Sequence, residues 1–514
     1  MAQAVGGGYR RLFQCRAARG RGRRGARAHE AAGGRGRHVP LGRHRLVGLV
    51  APHPPARRTG QRRRGQRDAR GRRAALGDLV RERAPRRGGR RGHGRGARKR
   101  THTGDADRPG GAAQRARAAA VTHALYLLDP DPSPAWAPFA GARPIAELRA
   151  GAHLIRERWE AFAGTETTAI FALPHLAGFV EPGVPAVGPR RPVAGPALIG
   201  SSTFVPRGLA PPLPPAAFRL SCNGVTVGWG VGPGATWDGP QAKAATVEVL
   251  GVVLHGAYDL VRVLEPLLAE DLGAWLGESD PIPAGSVVLG DPAWISVHDA
   301  AVEPGVVFDV RQGPVVLESG VEVRSGTRLE GPLWAGANTH LLGGPIRASA
   351  IGPHCKVRGE LACCLFLGYA NKAHDGFVGH CVIGRWANLG AGTITSNLKN
   401  TYGSVRLDVA GTAIETGLTN LGSLIGDHAK TAIGTLLGTG TVIGVGANVF
   451  GAVRPPKYVP PLAWGVREAT AEAGARLTKE GFLKIAERVL PRRDVAVDDA
   501  IRAMLGRIYD WAAR

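Results

Sequence analysis

From Val315 onward a small or apolar residue returns at every sixth position: Val321, Thr327, Leu333, Thr339, Pro345, Ile351, Val357 and Cys363. A second run passes through Phe377, Ile383 and Leu389, and a third through Ile425, Thr431, Leu437, Ile443 and Val449. Neither the 3.6-residue turn of a helix nor the alternation of a strand has this period. A solenoid of hexapeptide repeats does: each six-residue step makes one flat face, and three faces close one coil. The first residue of each hexad then points inward and stacks on its equivalent in the next coil, about 4.8 Å away at strand spacing. Residues 286–454 are therefore expected to form a left-handed parallel β-helix.

Two irregularities interrupt the repeat. Fourteen residues separate Cys363 from Phe377, two more than two hexads, and the period fades between 395 and 425, which reads as a protruding loop. Between these breaks lies NKAHDGFVGHCVIGRWANLGAGTITSNLKN, residues 371–400, too polar for a core and placed where a rigid scaffold carries functional side chains. After the solenoid, residues 455–514 read as a Pro-rich exit and two helices. Their apolar stripes are Phe482, Ile485, Ala486 and Val489, then Ile501, Leu505, Ile508 and Ala512, and packing is their expected role.

Residues 121–285 have a mixed α/β texture. ALYLLD (124–129) and TTAIFALP (167–174) read as buried strands, and LSCNGVTVGWGV as a hairpin about Asn223-Gly224. The segment between the first two places Ile145, Leu148, Ala152, Ile155 and Trp159 on one helical stripe, and AATVEVLGVVLHGAYDLVRVLEPLLAEDL reads as a long helix. Alternating strands and helices predict a small doubly wound sheet.

The chain of 514 residues carries a formal charge of +26, which taken alone would suggest a nucleic-acid partner. That charge is local. Residues 1–120 hold 34 of the 67 Lys and Arg and 6 of the 41 Asp and Glu, so the other 394 residues balance at −2. This Arg/Gly-rich segment lacks apolar periodicity and cannot offset chain entropy by burial. It reads either as a disordered arm, the one place where nucleic acid could bind, or as a mis-extended reading of the gene, with the folded chain starting near Val121. No run approaches the roughly 18 apolar residues of a membrane span. The six cysteines (15, 222, 355, 363, 364, 381) have no metal-ligand spacing and read as thiols of a reducing cytoplasm.

VIGRWANLGAGTITSN, preceded by Lys372-Ala373-His374, resembles the acetyltransferase half of the bifunctional N-acetylglucosamine-1-phosphate uridyltransferase/glucosamine-1-phosphate acetyltransferase family. GYANKAHDGFVGH, NLGAGT and SNLKNTYG, with RPIAELRAG further forward, are closer still to its divergent sugar-nucleotidyltransferase branch. The resemblance covers roughly residues 123–465 and is the more specific in the back half. It implies a transferase of the cytoplasm that uses acetyl-CoA and an amino-sugar phosphate, assembled as a homotrimer. It also implies a front domain of the kind that takes a nucleoside triphosphate, with Mg2+ needed only where that domain is active. No metal ligand is identifiable from the sequence.

Within the resemblance, His374 matches the general base that deprotonates the sugar amine; an imidazole with its ordinary pKa of about 6.5 offers a neutral base near pH 7. Arg358, Asn371, Lys372, Asn388 and Lys399 match or neighbour positions that hold the sugar phosphate, where cations suit the phosphoryl oxygens. The Ala391 N–H matches a donor to the thioester carbonyl, and Asn397 a contact at the acetyl-CoA end. Phe377 departs from the family pattern, which has a substrate-binding tyrosine there. In the front half the Gly-rich phosphate loop after the first strand is missing; Arg143-Pro144 is a trace of it, and Arg143 and Arg149 are the remaining candidates for a nucleotide contact. This predicts weak or absent nucleotidyl transfer. The alternative is a sugar-phosphate nucleotidyltransferase whose β-helix is only a trimerisation scaffold. A zinc site built on His374 and His380 ranks last, since six residues put them on different faces.

Overall fold

The computed structural model describes residues 123–241, 244–466 and 473–514; the expectations for residues 1–120 and for a start at Val121 lie outside these. The front sheet has seven strands in the order Ala245–Glu248, Phe218–Cys222, Val225–Val231, Ala197–Ser201, Ala124–Leu128, Thr167–Phe171, Ala186–Gly188. The first strand in sequence, Ala124–Leu128, lies between parallel neighbours, and its Leu125 and Leu127 are fully buried. The Asn223-Gly224 hairpin forms as expected, with both residues at positive φ.

Two helix expectations are corrected. The stripe from Ile145 to Trp159 is buried throughout, but only α1 (Ile155–Ala163) is α-helical. Ile145–Glu147 is a 3-10 turn, and Arg149–Ala150 pairs with His153–Leu154 about Gly151. Gly151 has φ +74°, and the turn is tied down by the Ala152 N–H donating to Asp271 at 2.9 Å. The second expected helix starts late, as α2 (Asp259–Trp275). Its front part instead forms strands Ala245–Glu248 and Gly251–Val253, because Gly251 lets the backbone approach Phe204–Pro206, where a Cβ would meet the Val205 carbonyl at 2.4 Å.

The predicted β-helix follows, its three faces built from sheets of six, nine and ten strands, parallel except for the last strand of the third, Ala473–Arg476, which pairs antiparallel with Ala463–Val466. Val315, Val321, Thr327, Leu333 and Thr339 all point inward and are fully buried, as the period requires. The third run is inward throughout. The phase slips between them, because coils shorten: Ala350 pairs with Leu365, 15 residues on, and Leu365 with Val382, 17 on. Ile346, Cys364 and Val378 therefore occupy the core in place of Pro345, Cys363 and Phe377.

The expected loop is a 42-residue step from Val382 to its partner Leu424. It does not stand free. It contains a hairpin, Arg406–Val409 against Thr412–Glu415, and Val405, Leu407 and Leu421 are buried in the same apolar cluster as the front domain. Arg262 of α2 donates to the Thr416 carbonyl at 2.6 Å. The C-terminal helices α3 (Lys479–Val489) and α4 (Asp499–Ala512) carry the predicted stripes. They pack on coils and front domain together: Phe482 meets His428 edge-on, and Trp511 stacks on His175 at 5.0 Å. No described helix is long and apolar enough to cross a membrane.

Candidate active site

On the ten-stranded face, neighbouring coils align Lys356, Asn371, Asn388, Lys430 and Asn448 in one outward column. The next residue of each strand points inward: Val357, Lys372, Leu389, Thr431 and Val449. Lys372 thus sits in the apolar stack, not in the substrate face. It is fully buried, and its ammonium donates to the His374 and Asp375 carbonyls. Burial pushes its pKa down to about 8, against the opposing pull of Asp375. Its polarity suggested a phosphate ligand; the coil phase makes it an internal strut beneath the corner that carries His374.

That corner ends the strand Asn371–Lys372, and His374 is exposed on it. In the next coil, Gly392 donates its N–H to the Asp375 carbonyl at 3.0 Å, which stacks the Gly390–Gly392 turn directly on the His374 corner. The Ala391 N–H beside it donates to no group of the described chain. One coil earlier, Arg358 reaches the same corner and holds Asp375 at 2.9 Å, with a second bond to the Leu342 carbonyl. Asn371 and Asn388 lie on the adjoining face, joined by an amide–amide hydrogen bond of 2.7 Å.

Asn397 and Lys399 lie one face further on. Asn397 bonds the His380 ring at 2.8 Å, and the Lys399 ammonium closes its own loop on the Ser404 carbonyl. His380 is at a different corner from His374, so the two do not converge. Burial leaves His428 neutral, with its pKa pushed down to about 3, as suits a structural ring stacked beside Trp386.

The front candidates are corrected. Arg143 is 1% exposed and bound on both sides, to Asp427 at 2.8 Å and to Glu181 at 2.7 Å, so its guanidinium fastens the front domain to the solenoid instead of facing a cleft. Arg149 lies over the Trp334 ring and donates to the Ala152 carbonyl. Arg143 is buried and Arg149 half-buried because the segment after the first strand, which lacks the Gly-rich phosphate loop, packs on the coils. Its N–H groups are also taken: Ile145 and Ala146 donate to Asp129, at 2.8 and 3.3 Å. Burial raises the Asp129 carboxyl to a pKa of about 6 despite those bonds.

Sequence reasoning missed Lys356, Lys430, Arg492 and Arg493. With Asn371, Asn388 and the Tyr369 and Trp386 rings they line a groove of about 350 Å3 between the ten-stranded face and the turn after α3. The only signal for Lys356 was its one-coil spacing from Asn371; Lys430 is separated from Asn388 by the 42-residue step, and the arginines lie about a hundred residues from the motif.

Comparison with known proteins agrees with this anatomy. Residues 126–205 match the family described as sugar nucleotidyl transferase. A bifunctional sugar-1-phosphate nucleotidylyltransferase/acetyltransferase of Sulfurisphaera tokodaii is 31% identical over 151 residues, 28% of this chain. That match covers 37% of the relative's own length. The chain is thus similar to sugar nucleotidyl transferases over a span that holds the first strand, α1 and a parallel neighbour, and the β-helix follows that span.

Proposed function

We propose that the protein transfers an acetyl group from acetyl-CoA to the amine of an amino-sugar phosphate at the His374 corner. The observation that carries this reading is the stacking of His374 and the free Ala391 N–H on adjacent coils at one corner, beside the Asn371–Asn388 pair. Base and oxyanion donor then stand about one coil spacing apart. The amine nitrogen attacks the thioester carbonyl carbon while His374 takes its proton. The Ala391 N–H stabilises the oxyanion as it develops. Collapse breaks the C–S bond, and the proton passes to the departing thiolate of coenzyme A. Asn388 and Asn371 orient the sugar, and Arg358 and the buried Lys372 fix the corner.

The test is thiol release from acetyl-CoA in the presence of amino-sugar phosphates. His374→Ala should lower turnover by about 10²–10⁴-fold, the usual contribution of a general base. His380→Ala, at another corner, should retain most activity. No loss from His374→Ala would overturn the reading.

The front domain, by the same reading, has little or no nucleotidyl transfer, because Arg143 is engaged and Asp129 occupies the N–H groups that would face a phosphate. Robust Mg2+-dependent pyrophosphate release from a nucleoside triphosphate and a sugar 1-phosphate would refute this. A homotrimer is supported by apolar side chains exposed near the site, Ile433 at 82% and Val453 at 55%. Ile433 follows Ala391 at the same corner, where a neighbouring prism would complete the acetyl-CoA end. Light scattering at the mass of one chain, from active protein, would exclude it.

A further inference from the structure

The groove beside Asn371 and Asn388 does not end there. A second concavity of about 360 Å3, lined by Asn338, His340, His354 and Asp494, adjoins it, and the two share Lys356, Arg492 and Arg493. Among the described residues no ion pair joins Lys356, Lys430, Arg492 or Arg493 to a carboxylate, although most buried arginines of the front domain are paired. Asp494 approaches Arg493 without forming one. Arg493 is held in place by donating to the His354 carbonyl at 3.1 Å, and Lys430 by donating to that of His428 at 2.9 Å. His354 stacks on Tyr369 at 4.7 Å, so an aromatic wall runs past the boundary between the two spaces.

Unpaired cations gathered in a concavity hold an anion. Here they stand in the middle of the groove, with hydrogen-bonding amides on one side and a polar, ring-lined space on the other. Each space is at the lower end of the roughly 300–1,000 Å3 of small-molecule sites. A sugar monophosphate would fill only the first. The geometry points to a nucleoside-diphosphate sugar: the diphosphate on Lys356, Arg492 and Arg493, the sugar over Asn371 and Asn388, the nucleoside in the space lined by His340 and His354. This deepens the acetyl-transfer reading by naming its acceptor as a nucleotide-linked amino sugar, whose sugar end lies on the strand that leads to His374. The C-terminal turn, through Arg492 and Arg493, would then select the acceptor.

Binding is measured by titration calorimetry without acetyl-CoA, so that failure of His374 as a base leaves this test intact. The probes are UDP-, dTDP- and GDP-sugars, with glucosamine 1-phosphate and coenzyme A for comparison. At least one nucleotide sugar should bind ten or more times tighter than glucosamine 1-phosphate. Arg492→Gln/Arg493→Gln should remove that advantage while the circular dichroism spectrum and melting temperature stay as in the parent. Lys356→Met, which leaves the C-terminal turn untouched, should weaken the same ligand at least tenfold. Equal binding of sugar phosphate and nucleotide sugar, displacement of the nucleotide sugar by coenzyme A, or no binding of any nucleotide sugar would each overturn the proposal. A protein that acetylates glucosamine 1-phosphate with undiminished kcat/KM in the double variant would overturn it too, while leaving His374 as base.

Discussion

Arg143→Met separates a structural arginine from a nucleotide-binding one. The side chain is 1% exposed and makes three charge-assisted bonds, to Asp427 at 2.8 Å and to Glu181 at 2.7 and 3.2 Å. Removing one partner of a buried ion pair costs about 3–5 kcal/mol, since the partner charge is stranded. Two features favour the lower end. Glu181 keeps Arg385 at 3.2 Å, and Asp427 keeps the Arg385 N–H at 2.9 Å. Burial already raises the Asp427 carboxyl above its ordinary range, with Arg143 drawing it back, so without Arg143 it can take up a proton. We expect a loss of about 3 kcal/mol for the single variant. Adding Asp427→Asn should cost less than the two single losses summed, with a coupling of about 1–3 kcal/mol. Urea unfolding followed by tryptophan emission and circular dichroism measures both. A change within about 0.5 kcal/mol, the range of ordinary surface substitutions, would refute the interdomain role. A raised KM for nucleoside triphosphate in that same variant would restore the phosphate contact.

Four further outcomes follow from other sites. Lys372→Met should lower kcat with little change in KM, because the side chain supports the His374 corner from inside; a change confined to the KM of the sugar phosphate would place it in the substrate face. Asp129 has a folded pKa of about 6, above its unfolded value of about 3.8, so the native state binds the extra proton and stability should fall as pH rises from 4 to 6. Asp129→Asn should flatten that stretch of the stability–pH curve, and an unchanged slope would discount the shift. The Glu181 carboxyl is raised by burial, but Arg143 and Arg385 outweigh this and hold it below its ordinary range. Its contribution is therefore present above the unfolded value, about 4.5, and lost as pH falls through the folded one; Glu181→Gln should be less acid-sensitive than the parent in melting temperature. Leu407→Ala, at 1% exposure in the inserted hairpin, should cost about 2–5 kcal/mol in urea unfolding; a freely protruding loop would show almost none.

The solenoid was legible because its period is a local property: a residue and its neighbour in the next coil are fixed by counting. Counting fails where coils shorten to 15 or 17 residues, and there the residue next to the expected one takes the core. That slip hid Lys372, whose charge suggested a surface position. The outward placement of His374 was legible from its place in the hexad, and the structure adds that the turn holding Ala391 lies on the next coil; its role as base is the proposal made above. Arg143 was not legible, because its partner Asp427 is 284 residues away and neither position has a local signature. The stripe from Ile145 to Trp159 predicted burial correctly and helix wrongly. A 3-10 turn, a hairpin and a short helix can bury the same five side chains when the turn is anchored elsewhere, as Gly151 and Ala152 are by Asp271.

The apolar cluster that holds the front domain draws on Leu125 near one end of the described chain and on Met504, Leu505 and Ile508 near the other. During synthesis the coils can close in order as they leave the ribosome, each on the one before. The front sheet cannot. It must wait for the inserted hairpin, and then for α4, before its face against the coils is covered. Folding therefore proceeds vectorially in the middle of the chain and ends with a closure of very long sequence separation, which is intrinsically slow. Chains cut short before residue 499 should emerge with ordered coils and an unsealed front domain, the form most exposed to chaperones and proteases.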